Sequence, residues 1–91
     1  MSEGSKMLKL AHDTVVERGK VYGNAKENME RTAGLWSGIM GKEVTGAQVA
    51  LCMAQVKFAR LIETPDHKDS VVDVMGYMAV YWDCVEEGET E

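Results

Sequence analysis

Between Lys57 and Tyr77 the chain reads KFARLIETPDHKDSVVDVMGY. Lys57 and Arg60 stand on an otherwise apolar segment, and Asp69 and Asp73 enter a second apolar segment one helical turn apart. A charge taken out of water is costly unless it meets an opposite charge, a metal or a ligand. One chemistry that fits is phosphate or carboxylate binding by the cations, a task suited to arginine's planar fork. The aspartates, joined by Glu30 from an earlier segment, would then hold Mg²⁺, a hard ion that takes oxygen ligands and bridges to phosphates. The plainer alternative is a lattice in which Lys57 and Arg60 pair with the aspartates across a helical hairpin. Asp66 and Asp69 suit the first turn of a helix, where the dipole favours anions. Asp73 lies a turn further in, between Val72 and Val74, and has no such local account.

A second candidate is the loop KVYGNAKEN. Tyr22 and Gly23 precede a helix N-terminus, whose free N–H groups can bind an anion. Tyr22 then stacks on a base or staples the helix entry by packing. Asn28 and Arg31 follow one turn in, within reach of a ligand there. Tyr77 suits either core or ligand contact, and Trp36 suits core. His67, beside Asp66, fits a cap, a proton-transfer group or a solvated surface residue. His12 and His67 have no partner at metal-ligand spacing, and no GxSxG, P-loop or CxxC occurs. Acyl transfer, Walker-type phosphoryl transfer and thiol redox chemistry therefore have no support.

Four helices must position these residues. The first spans about 5–18, with Met7, Leu8, Leu10, Ala11 and Val15 at helical spacing and Gly19 where it would stop. The second spans about 24–40: Asn24 and Glu27 form a capping pair, and Met29, Ala33, Trp36 and Met40 share a face. Gly34 and Gly38, four apart, would allow another backbone to come close. The third, about 46–63, opens on Thr45 and Gln48 and is apolar nearly all round, which predicts the central helix. Thr64 and Pro65 close it and open the fourth, about 66–87, on which Val71, Val74, Met78, Tyr81 and Val85 keep a helical period. Short connections join antiparallel neighbours, so the expected fold is an all-α four-helix arrangement. The acidic end, 88–91, is expected to fray.

With 91 residues this is a single domain. A chain so short buries only about 60–65% of its unfolded surface, and no disulfide framework compensates, so a homo-oligomer is expected. Cys52 and Cys84, far apart among apolar neighbours, read as reduced core cysteines. A net charge of −5 argues against a duplex nucleic-acid binder. No signal-peptide core and no run near the ~20 residues needed to span a bilayer is present, so the expected place is the cytoplasm.

The stretches YGNAKENMERTAGLWSGIMG, VALCMAQVKFARL and PDHKDSVVDVMGYMAV resemble a family of small phage and prophage proteins of unassigned function. The shared pattern is YGD-x3-NF-x-R-IA-x-LWS, then K-x-ARL, then H-x-DS-x2-D-x-AGY. It covers about residues 18–82 and includes Tyr22, Asn28, Arg31, Lys57, Arg60, His67, Asp69, Asp73 and Tyr77. Asn24 stands where the pattern has Asp, which removes one possible metal ligand. More distantly, the chain is similar to the MazG-like all-α nucleoside triphosphate pyrophosphohydrolases, which hold Mg²⁺ on an EExxE helix and an ExxD helix. That likeness implies Asp69 and Asp73 for the second helix. The EExxE is missing, with Lys57 and Arg60 in its place. The resemblance thus implies a phage-type protein binding a nucleotide phosphate in a polar pocket of the bundle, with Mg-dependent pyrophosphohydrolysis as its furthest extension. The alternative is a non-catalytic protein that sequesters a nucleotide or binds a host factor. A phage-encoded chain of either kind would act in the host cytoplasm.

Overall fold

In the computed structural model the described residues are 1–22 and 24–86, without the side chains of Val21 and Tyr22. They form α1 (Glu3–Tyr22), α2 (Ala25–Met40), α3 (Gly46–Glu63) and α4 (Lys68–Glu86), and no strand occurs among them. The expected all-α fold is therefore present. The fraying expected of 88–91 and the role expected of the Tyr22 side chain lie outside the described residues.

Local chemistry sets most boundaries. The Asn24 side chain accepts the Glu27 N–H at 3.2 Å and starts α2. Gly41 ends it in the left-handed region at φ 73°, where a Cβ is disfavoured, and its N–H donates to the Ser37 carbonyl. Ser37 Oγ then holds the next connection by accepting the Val44 N–H at 2.8 Å. Thr45 and Gln48 make the complete reciprocal cap of α3.

Two boundaries differ from expectation. α1 does not stop at Gly19 but continues right-handed to Tyr22; a glycine permits a helix end without imposing one. Thr64 closes α3, yet it does not open α4. Pro65 instead takes the second position of a turn in which the His67 N–H donates to the Thr64 carbonyl at 3.0 Å, a place that suits its fixed φ. His67 opens α4: its carbonyl accepts from Ser70 and Val71, and its Nδ1 lies 2.7 Å from the hydroxyl of the buried Ser70.

The core is built from small side chains. Met29 and Ala33 of α2, Ala47, Val49 and Ala50 of α3, and Val80 and Cys84 of α4 form one cluster, flanked by Trp36, Val44, Met53, Tyr81 and Val85. Trp36 is thus core-associated, as its position on the α2 face predicts. α4, not α3, is the central helix, since it packs on all three others. α3 uses one side, marked by Ala47, Val49, Ala50 and Ala54, and leaves the opposite side outward. That is why Cys52 is exposed rather than in the core, while Cys84 is buried. α1 lies chiefly against α4, with Ala11 buried. It comes close at Gly76, where an added Cβ would sit 3.4 Å from Val15 Cγ2. No helix among the described residues is long and apolar enough to cross a membrane.

Candidate functional site

Asp73 joins three helices. From α4, its Oδ1 lies 3.3 Å from Arg18 Nη1 of α1 and its Oδ2 lies 3.2 Å from Lys57 Nζ of α3. The Asp73 side chain is 15% exposed, Lys57 31% and Arg18 61%, so the bridge runs from the interior outward to water. Of the lattice expected of Lys57 and Arg60 with the aspartates, the Lys57–Asp73 pair is formed, while the exposed Arg60 does not join it.

Beside this bridge, α1, α2 and α4 border an open cleft of about 910 Å³. It exists because α1 leans on α4 while α2 packs on α3, leaving a gap between the N-terminal part of α2 and α1. Ala11, Val15, Met29, Val72 and Val80 give it an apolar floor. Arg18, Asn28, Asp73, Tyr77 and Asp83 supply polar groups along its walls. A smaller recess of about 150 Å³ adjoins it, sharing Thr14, Arg18, Val72 and Asp73 and adding Asp69 and Leu10.

The residues singled out in the sequence are thus divided. Asn28, Tyr77 and Asp73 come together in the cleft, and Asp69 sits in the adjoining recess. Lys57 reaches the site only through Asp73. Arg31 and Arg60 are exposed and line neither space. His67 is engaged with Ser70 at the start of α4, and Glu30 is held by Lys26 on its own helix at 2.7 Å. Among the described residues, no three His, Cys, Asp or Glu side chains lie where they could hold a metal ion. The expected Mg²⁺ set of Asp69, Asp73 and Glu30 does not fit this arrangement, since Asp73 is paired with Arg18 and Lys57 and Glu30 with Lys26.

Arg18 is the functional candidate that sequence reasoning missed. Its signal was present: it lies seven residues after Ala11 and three after Val15, on the same helical face as the one α1 packs with. The sequence does not show which helix that face meets.

The fold is that of a small all-α domain built round a central helix. The chain belongs to the family described as "Domain of unknown function (DUF6378)", whose model matches residues 6–85. It is 46% identical over 65 residues to the Gene 55 protein of Mycobacterium phage L5, an alignment covering 70% of this chain and 42% of that protein. It is 41% identical over 70 residues to the Gene 55 protein of Mycobacterium phage D29, covering 77% and 44% respectively. The chain thus spans less than half the length of these relatives, and its kinship is with phage proteins of unassigned function. The MazG-like likeness gains no support from these matches. No solved structure matches the chain.

Proposed function

We propose that this domain is a non-catalytic binding protein of phage type whose cleft between α1, α2 and α4 takes a nucleotide, acting in the host cytoplasm. The observation that carries this reading is the cleft itself. It is an open groove that combines an apolar floor with a few convergent polar groups. The Tyr77 ring offers a face for a base, and Asn28 can exchange hydrogen bonds with the base edge. Arg18 donates to Asp73 through Nη1; the rest of its fork is available to a phosphate at the rim. Asp73 fixes that guanidinium, and Lys57 fixes Asp73. Asp73, the carboxylate paired with both cations, is committed to positioning, which favours capture of the ligand over turnover.

A panel of nucleotides, with and without Mg²⁺, tests this by thermal shift and by product release. The expected result is stabilisation without turnover, reduced in Asn28→Ala and Arg18→Gln. Pyrophosphate release abolished in Asp73→Ala would establish an enzyme instead. No response to any nucleotide would favour the second reading, binding of a host protein. That reading has its own support in the outward Leu35 and Ile39 of α2, spaced four apart and both strongly exposed.

A further inference from the structure

We propose that the outward face of α3 is a self-association surface, on which a second copy of this chain packs antiparallel. Leu51, Phe58 and Ile62 are all exposed, and with Gln55 they follow spacings of four, three and four along one stripe of the helix. The stripe runs three turns, about 16 Å. Ile62 is 85% exposed, so a β-branched side chain near the end of the stripe has almost no cover within the chain.

The spacing is self-complementary. A two-fold axis between Gln55 and Phe58 sets Leu51 against Ile62 of the second copy and Gln55 against its Phe58, the isologous pattern expected of a symmetric dimer. Charge also selects this face. Between Gly46 and Ile62 the charged residues are Lys57, which is committed to Asp73, and Arg60. Two acidic molecules therefore meet here without opposing carboxylates. The outward Met78 and Trp82 of α4 border Asp83 and Glu86, where two copies would repel, and the α2 pair Leu35 and Ile39 extends for one turn only.

The chain presents 6378 Å², whereas a folded monomer of 10.1 kDa presents about 5300 Å². The excess, roughly 1100 Å², belongs to the molecule as a whole. The radius of gyration is 14.0 Å, where a compact chain of this length gives about 12 Å. Elongation thus contributes to the excess, and a partner along α3 would relieve it. This surface is independent of the cleft, whose lining includes no α3 residue.

Sedimentation equilibrium of the purified chain over a range of concentrations provides the test. A monomer–dimer equilibrium is expected, with Ile62→Glu weakening the dimer about tenfold or more. Because Ile62 is outward, helicity by circular dichroism should stay unchanged. Gln55→Leu should tighten the dimer by completing the stripe, and Leu35→Glu should leave it as it was. A wild-type chain that stays monomeric into the high micromolar range would overturn the proposal and leave the face to a different partner. A dimer broken by Leu35→Glu but not by Ile62→Glu or Phe58→Glu would overturn it equally.

Discussion

Removing the Asp73 carboxylate would leave Lys57 in a half-buried place without its counter-charge, whereas Arg18 could turn into water at little cost. Asp73→Ala should therefore destabilise the fold by about 1–2 kcal/mol, between the near-zero worth of an exposed pair and the several kcal/mol lost on breaking a buried one. Arg18→Gln, affecting only the exposed arm, should cost less than about 1 kcal/mol. Chemical denaturation of the two variants measures both. The joint change Lys57→Met with Asp73→Leu should recover most of the Asp73→Ala loss, since a structural pair can be exchanged for apolar packing. If the joint variant is stable but no longer shifts with nucleotide, Asp73 serves to position Arg18 as well as to brace the helices. A separate acid-sensitive contact lies on α1. There the hydrogen bond from His12, with Lys9 nearby, holds the exposed Asp13 carboxyl below the usual carboxylate range. A lowered folded-state pKa gives stability that is present above the ordinary carboxylate range and is lost as pH falls through the lowered value. Asp13→Asn should flatten the strongly acid end of the stability profile and leave neutral pH nearly unchanged.

The helices themselves carry glycines that do opposite things. At Gly34 and Gly38 an added Cβ would meet nothing within 4 Å, so no backbone among the described residues uses the close approach their spacing permits. Replacing both by alanine should raise stability by about 1–2 kcal/mol, because each exposed helical glycine costs about 0.5–1 kcal/mol relative to alanine. For a domain of this size that is a rise of roughly 4–16 °C in Tm. Gly76 is different: an alanine Cβ just fits against Val15, but a leucine would push α1 off α4 and disturb the cleft wall. Gly76→Leu should cost about 1–3 kcal/mol, and Gly76→Ala much less, as measured by thermal unfolding. The same contrast shows what the sequence makes legible. The cap at Thr45 with Gln48 is complete within three residues, and Asn24 makes one half of the reciprocal cap expected with Glu27, so both can be read directly, as can the Thr64-Pro65 break. The end of α1 cannot, because Gly19 is compatible with helix and with stop, and the packing that decides lies on α4. Lys57 and Asp73 are separated by a short hairpin whose helical phase brings them together. Arg18 meets Asp73 across 55 residues, and only the tertiary path of α1 joins them. The outward side of α3 was misread for a related reason: an all-round apolar helix indicates burial, but not by which chain.

At the scale of the whole molecule, that last point yields a prediction about stability rather than about binding. The core is made mainly of alanine and valine, with Val49, Cys84 and Ser70 its largest fully buried side chains. Small side chains let helices approach closely but remove little apolar area from water per residue. A chain of 91 residues with such a core and an open α3 face leaves apolar area unburied within the monomer. If a second copy covers it, association and folding are linked by mass action, and Tm must rise with protein concentration. Ile62→Glu should remove that dependence while leaving the Tm of the dilute protein nearly unchanged, since Ile62 contributes little within one chain. Gly34→Ala with Gly38→Ala should raise Tm equally at all concentrations, because those positions stabilise the helix itself. Scanning calorimetry at widely separated concentrations distinguishes the two behaviours. A Tm independent of concentration in the wild-type chain would place the whole of its stability within the monomer, and the α3 face would then have no part in holding the fold.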